Sequence, residues 1–300
     1  MNKYHDPVLL VKSIEGLMLK PGGVYVDVTF GGGGHSRELL KCLSGGKLIA
    51  IDQDQDAINN KIKGDDRLIM INTNFRNLTE TLSSLDIYNI DGLIADLGVS
   101  AYHFTDNKRG FSTQYDAVID MRMNNKMSKK GVDIINSYNA KKLDIIFKEH
   151  ADFKNPNSIT NLIISARQKK EIQTTFDFKN IFNDIVSPKN KNQFFARLFQ
   201  AIRIEVNDEI NALKELLVQS EKLLNPSGRL VVLSYHSGED KLVKSFMKFG
   251  NFNNCSEKDF FGKKLSPFKL ITKKPIVPTD LEIKLNNKSR SAKLRICEKL

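Results

Sequence analysis

The first hundred residues alternate short apolar runs with amphipathic segments. The run from Val24 to Phe30 is β-branched and aromatic and is bounded by glycines, which predicts a strand buried on both faces. The same pattern predicts further strands over 48–52, 68–71 and 92–97, and helices over 36–43, 54–62 and 78–85. This alternation predicts parallel strands joined by right-handed crossovers.

A long gap interrupts this alternation. The next buried strand is predicted over 229–234, after a helix over 208–224. A strand–helix–strand crossover takes about thirty residues, so the gap predicts a separate unit inserted at 106–205, with the sheet formed by 1–105 and 206–300. Apolar residues at three-to-four spacing predict that this unit is helical, with helices over 140–150, 157–169, 178–186 and 193–207.

The C-terminal segment 291–298 has the alternation of a strand. Leu294 and Ile296 alternate with Lys293 and Arg295, which is the pattern of a strand at the margin of the sheet.

Four segments with polar or glycine residues follow the predicted strands. In an open parallel sheet, ligands bind at the carboxyl ends of the strands. The segments are Gly31–His35 after the first strand, Asp52 after the second, Asn74 and Phe75 after the third, and Asp96–Ser100 after the fourth. Glycines let a ligand approach the backbone, and an aspartate can chelate ribose hydroxyls. Together they predict a site for an adenosine cofactor.

The type of cofactor is narrowed by what the glycine loop lacks. The dinucleotide fingerprint requires a third glycine where this loop has Ser36, which disfavours an NAD-type oxidoreductase without excluding it. No Walker A lysine follows the loop. The pattern Asp27-x-x-x-Gly31-x-Gly33 suits S-adenosylmethionine, which has no pyrophosphate to bind.

Composition adds few constraints. Apolar residues make up 40% and charged residues 27% of the chain, as in ordinary globular proteins. The three cysteines, Cys42, Cys255 and Cys297, are scattered, which excludes a disulfide framework and a CxxC site and fits a reducing cytoplasm. The histidine spacing predicts no metal site. No apolar run approaches the ~20 residues of a membrane span, and no signal peptide is recognised.

The positive charge is concentrated at one end of the chain. The net charge is +11, and the last sixty residues hold fifteen Lys and Arg against five Asp and Glu. The remainder is nearly neutral. A localised basic excess is typical of a protein that binds a polyanion, although a solvated basic tail would give the same count.

Motifs along the whole chain resemble those of the RsmH/MraW family. They are Tyr4–Leu10, Tyr25–Arg37, Ala50–Asp54, Asp91–Ser100, Arg109–Ser112, Asp120–Met123, Phe199–Glu209, Tyr235–Lys241 and Arg290–Arg295. The family usually has Gln at the position of His103, a second Ser at Ala101, Phe at Tyr235 and Leu at Gly238. None of these departures affects the glycine loop or Asp52.

The resemblance implies a class I S-adenosylmethionine-dependent methyltransferase: an α/β, Rossmann-like, mostly parallel sheet with an inserted helical domain for substrate recognition. It implies methylation of the N4 amine of one cytidine in 16S rRNA, in the decoding region near the P-site of the small ribosomal subunit. The cofactor contacts carried over from the family are Gly33, Gly34, His35, Asp52, Phe75, Asp96 and, in place of the usual Gln, His103.

The acceptor side of the reaction is less specified. The lone pair of the cytosine amine is delocalised, so the base must be held and aligned, and Ser100, Tyr235 and His236 are expected to hold it. Five basic residues are expected to contact RNA: Arg109, Arg203, Arg290, Lys293 and Arg295. A non-catalytic rRNA-binding assembly factor stays an alternative. A DNA amino-methyltransferase is disfavoured, because no proline follows Asp96.

Overall fold

The computed structural model describes residues 7–60, 62–100, 103, 108–258, 260–262 and 264–300. Ala101, position 61 of the predicted helix 54–62, and Tyr4–Asp6 of the first motif lie outside the described residues. The chain forms two compact units. Residues 1–98 and Ile210–Leu300 form the sheet unit, and Val99–Glu209 form the helical unit.

In the part of the chain that the structure describes, the sheet unit contains nine strands and seven helices. In chain order they are α1 (Leu10–Leu17), β1 (Val24–Asp27), α2 (Gly34–Cys42), β2 (Lys47–Asp52), α3 (Gln55–Ile58), β3 (Leu68–Asn72), α4 (Leu78–Ser83) and β4 (Ile90–Asp96) before the helical unit. After it come α10 (Glu209–Leu223), β5 (Leu224–Ser234), α11 (Ser237–Phe249), β6 (Glu257–Lys258), β7 (Lys264–Leu265), β8 (Phe268–Leu270), α12 (Asp280–Leu285) and β9 (Lys293–Lys299). Short 3₁₀ turns cover Phe75–Asn77 and Asn287–Ser291.

Seven of these strands form one sheet in the order β3-β2-β1-β4-β5-β9-β8. Strands β1 to β5 are parallel, which confirms the predicted alternation. Strand β9 runs antiparallel to both of its neighbours. The prediction that 291–298 lies at the margin is wrong, because β8 pairs outside β9 and covers it.

The strands carry apolar side chains on both faces. Along β5, Leu230 and Val232 pack into one core cluster, and Val231 and Leu233 pack into another. Successive side chains of a strand point to opposite faces, so helices cover both sides of the sheet. This packing explains why the strands read as continuous apolar runs.

Two predicted helices differ from the observed ones by more than two residues at an end. Helix α3 ends at Ile58, well short of the predicted 54–62. The helix predicted over 178–186 is α8, which covers Thr175–Asn180. Its first turn is fixed by a capping box, in which the Thr174 hydroxyl accepts from the Asp177 N–H and the Asp177 carboxylate accepts from the Thr174 N–H.

The helical unit has a core of its own. Its helices are α5 (Gly131–Ser137), α6 (Ala140–Ala151), α7 (Asn157–Lys169), α8 and α9 (Lys191–Asn207), with a 3₁₀ turn over Pro188–Asn190. Aromatic side chains fill the centre: Phe178 and Phe182 meet edge to face at 5.6 Å, and Phe195 and Phe199 are buried beside them. No helix in the described part of the chain is long and apolar enough to cross a membrane.

Candidate active site

The glycine loop and Asp52 are joined by backbone hydrogen bonds at the carboxyl ends of β1 and β2. Asp52 Oδ2 accepts from the Gly31 N–H at 2.8 Å, and Oδ1 accepts from the Asp54 N–H at 2.8 Å. Gly31 and Gly33 have φ of 53° and 75°, which is the left-handed region that glycine adopts without strain. The Asp52 carboxylate therefore fixes the glycine loop to the carboxyl end of β2.

A buried carboxyl group lies beneath this loop. Asp27, the last residue of β1, accepts from the Ser36 hydroxyl at 2.7 Å and from the Thr29 N–H at 3.1 Å. Burial raises the pKa of Asp27, against the opposing effects of His35 and these hydrogen bonds. Asp27 thereby links the end of β1 to the first turn of α2.

Asp96 at the end of β4 is held on three sides. Its backbone N–H donates to the Thr29 hydroxyl at 2.6 Å, and its Oδ1 accepts from the Tyr235 hydroxyl at 2.7 Å. Its Oδ2 lies 3.7 Å from Nδ1 of His35. Burial raises the pKa of Asp96, while His35 and Tyr235 lower it. The Asp96 side chain remains 24% exposed, so a ligand can reach it.

Phe75 and Asn74 occupy the turn after β3. The Asn74 amide donates to the Gln53 side chain at 2.7 Å, and Asn74 Oδ1 accepts from the Arg76 N–H. This links the turns after β2 and β3. Phe75 is half-buried and packs against the core on one side of the sheet. An aromatic ring in this position can pack against a purine.

The three residues expected to hold the base are engaged within the chain. The Tyr235 hydroxyl binds Asp96. His236 is the N-cap of α11, where its Nδ1 accepts from the Glu239 N–H. Ser100 belongs to the helical unit, where its N–H donates to Nδ1 of His103 at 3.1 Å. His103 also packs on Phe111 within that unit, with ring centroids 4.7 Å apart.

Two of the arginines expected to contact RNA are engaged within the helical unit. The Arg109 guanidinium is buried and donates to the carbonyl oxygens of Arg122 and Met123. Arg203 forms a bidentate ion pair with Glu209, from Nε to Oε1 at 2.8 Å and from Nη2 to Oε2 at 2.9 Å. This geometry argues for a structural role of both side chains and against direct phosphate contact.

The C-terminal basic residues differ from one another. Arg295 is buried and donates to Asp240 twice, from Nε to Oδ1 at 2.6 Å and from Nη2 to Oδ2 at 3.2 Å. Lys293 Nζ lies 3.2 Å from Asp240 Oδ2 and is 40% exposed. Arg290 is exposed in the preceding 3₁₀ turn. Of the three, Arg290 and Lys293 have a side chain that solvent, and hence RNA, can reach.

Two residues that shape the site, Thr29 and Glu239, are not predicted as site residues from the sequence. Glu239 is buried and accepts from the Tyr235 N–H at 2.9 Å. Asp27, which the cofactor pattern includes, carries a further signal, because an acidic residue inside an apolar strand is uncommon without a partner. The partners themselves could not be read from the sequence.

The residues at the strand ends fit S-adenosylmethionine. The Asp52 carboxylate suits ribose hydroxyls, and Asp96 suits a positively charged amine. His35 Nε2 is buried without a hydrogen-bond partner among the described residues, as expected for a group that awaits a ligand. No cluster of three or more metal-ligating side chains occurs in the ranges that the structure describes.

The order of the sheet, its single reversed strand between β5 and β8, and the glycine loop with Asp52 define the class I methyltransferase fold. The model of the MraW methylase family matches residues 2–300. The chain therefore belongs to the MraW methylase family. The predicted fold class and family are confirmed, and the family is one of methyl-transferring rather than hydride-transferring enzymes.

Full-length relatives carry a more specific name. "Ribosomal RNA small subunit methyltransferase H" of Parabacteroides distasonis is 48% identical over 99% of this chain and 98% of that protein. The protein of the same name from Flavobacterium johnsoniae is 47% identical, with the same coverage. A solved putative methyltransferase from Streptococcus mutans in complex with SAH is 15% identical to this chain. The match covers 99% of this chain and all of that one, with a TM-score of 0.42.

Proposed function

We propose that this protein transfers a methyl group from S-adenosylmethionine to the N4 amine of one cytidine in 16S rRNA, in the decoding region near the P-site. The methyl transfer and the small-subunit rRNA substrate follow from the family and from the names of relatives that cover the whole chain. The choice of cytidine, of its N4 atom and of the decoding region rests on the motif resemblance, and the experiment below tests it.

The observation that carries the proposal is the hydrogen bonding of Asp52 to the glycine loop. It brings a ribose-binding carboxylate and an approachable backbone to one edge of the sheet. We propose that Gly33, Gly34, His35, Asp52, Phe75 and Asp96 hold the cofactor. His103, in the helical unit, stays a proposed further contact.

The bound cofactor would supply a methyl group on a positively charged sulfur, which any aligned nucleophile can displace. The protein's contribution is alignment: bringing the reacting atoms to about 3–3.5 Å removes most of the entropic barrier. A hydrogen-bond acceptor at the exocyclic amine would localise its lone pair and stabilise the developing positive charge. After transfer the N–H is acidic, so water is a sufficient base.

The acceptor base must leave its stack to reach such a site, at a cost of a few kcal/mol. We propose that the helical unit, Val99–Glu209, recognises the folded RNA and that Arg290 and Lys293 add phosphate contacts. The partner is 16S rRNA, free or assembled into the small subunit. We place the protein in the cytoplasm, where this substrate is made and where its three free cysteines persist.

The test is to map methylated nucleosides. Small ribosomal subunits from cells that lack this protein are incubated with the purified enzyme and labelled S-adenosylmethionine, and the rRNA is digested for mass spectrometry. We expect one labelled N4-methylcytidine in the decoding region, and no label with Asp52→Ala. Label on another atom or base would contradict the proposal. Equal labelling by Asp52→Ala would show that Asp52 is not needed for cofactor binding.

A further inference from the structure

Tyr235 is anchored at both ends. Its hydroxyl donates to Asp96 Oδ1 at 2.7 Å, and its backbone N–H donates to Glu239 Oε2 at 2.9 Å. Burial, followed by the negative charge of Asp96, raises the pKa of Tyr235 well above its ordinary value. Tyr235 is therefore protonated at neutral pH, and it acts as a donor rather than as a base.

The two oxygens of Asp96 are consequently not equivalent. Oδ1 is occupied by Tyr235, whereas Oδ2 faces Nδ1 of His35 at 3.7 Å, beyond hydrogen-bond distance. The backbone of Asp96 is fixed by the Thr29 hydroxyl. Nearby, His35 Nε2 is buried without a partner in the described part of the chain. Oδ2 is thus the oxygen that remains for an incoming donor.

We propose that Tyr235 is a positioning residue, whose hydroxyl holds Asp96 so that Oδ2 accepts a hydrogen bond from an amino group of the reactants. Two reactants carry such a group, the ammonium end of the cofactor and the exocyclic amine of cytosine. The identity of these reactants rests on the proposed function.

The charged groups around Asp96 give the expected pH effect. Burial raises the pKa of Asp96, His35 and the Tyr235 hydroxyl lower it, and Asp27 and Glu239 raise it. Removing the hydroxyl raises that pKa further. An amine binds best to ionised Asp96, so the loss of binding at acid pH should begin at higher pH in Tyr235→Phe.

The experiment compares wild type, Tyr235→Phe and Tyr138→Phe. Tyr138 is a matched control, because its hydroxyl donates to Glu205 at 2.8 Å in the helical unit. For each protein, calorimetry measures S-adenosylmethionine binding without RNA from pH 5 to 8. A second assay measures kcat on small subunits at saturating cofactor, and thermal unfolding verifies that each variant is folded.

We expect Tyr235→Phe to lose about tenfold in either S-adenosylmethionine affinity or kcat, and its loss of binding at acid pH to begin at higher pH than in wild type. We expect Tyr138→Phe to match wild type in cofactor binding. A loss in cofactor affinity identifies the ammonium group as the donor, and a loss in kcat alone identifies the cytosine amine. If wild type is active and Tyr235→Phe matches it in both assays and in pH profile, the inference is overturned and the proposed function stands. If wild type binds no S-adenosylmethionine, the proposed function falls.

Discussion

Gly33 combines a left-handed backbone with a crowded position. It has φ of 75°, and a Cβ atom there would lie 2.7 Å from the Phe30 ring. Gly33→Ala should therefore lower the free energy of unfolding by about 1–2 kcal/mol through the backbone alone, and should weaken cofactor binding because the loop must shift. Denaturant unfolding and calorimetry measure the two effects.

Gly64→Ala is the matched control for this change. Gly64 has φ of 78° but no atom within 4 Å of the added Cβ. It should cause a similar backbone cost and leave S-adenosylmethionine affinity unchanged. Equal cofactor affinity in both variants would contradict the role given to the Gly33 contact.

The buried ion pair of Arg295 and Asp240 should make stability depend on pH. Burial raises the pKa of Asp240, but Arg295 and Lys293 outweigh it and lower the pKa below its ordinary value. A lowered folded-state pKa gives stability that is present above the unfolded value of about 3.9 and is lost as the pH falls through the folded value. Urea unfolding from pH 7 to pH 3 should show this loss.

Arg295→Met tests the same pair at neutral pH. It leaves Asp240 buried without its main partner, which should cost about 3–5 kcal/mol. The double change Arg295→Met with Asp240→Leu should recover much of that stability. A single variant as stable as wild type would show that the pair contributes nothing.

The chemistry of single residues was partly predictable from sequence. Asp52 and Asp96 are the last residues of apolar strands, and this local position is enough to predict them as site residues. The partner of Arg295 was not predictable, because Asp240 lies 55 positions earlier and is brought close only when β9 inserts beside β5. The alternation of apolar and basic residues along β9 predicts a strand, but it does not predict that the strand is buried between two others.

Among the secondary-structure elements, the order of strands and helices was predicted better than their bounds. The predicted bounds of β2 and β3 differ from the observed ones by one residue, but β1 ends three residues before the predicted Phe30 and β5 begins five residues before the predicted start at 229. Buried strands are recognised because they appear in the sequence as continuous apolar runs. Helix α8 begins earlier and ends sooner than its apolar periodicity predicts, because the capping box sets its start and the chain turns after Asn180.

Thr174→Ala tests whether the cap determines α8. The change removes the acceptor for the Asp177 N–H, and it should lower the stability of the protein by about 1 kcal/mol. Thermal unfolding measures this, and hydrogen exchange should show faster exchange in the first turn of α8. Thr174→Ser keeps the oxygen and should match wild type; unchanged exchange in Thr174→Ala would contradict the assignment.

At the scale of the whole chain, the net charge of +11 is concentrated in the last sixty residues. Arg290 is exposed there and is one of the two residues, with Lys293, that we propose contact RNA phosphates. Arg290→Glu should weaken rRNA binding and reduce the slope of log affinity against log salt by about one. Lys222→Glu makes the same charge change in the last turn of α10, in the sheet unit, and should leave the slope unchanged. Equal slopes in both variants would assign the effect to net charge alone.

We propose that the strand ends of the sheet bind S-adenosylmethionine through the glycine loop and Asp52. Calorimetric titration of wild type and Asp52→Ala with this compound measures that binding. We expect saturable one-to-one binding by wild type and a loss of at least tenfold in affinity for Asp52→Ala, with the variant still folded. Absence of binding by wild type, or equal binding by both proteins, would contradict it.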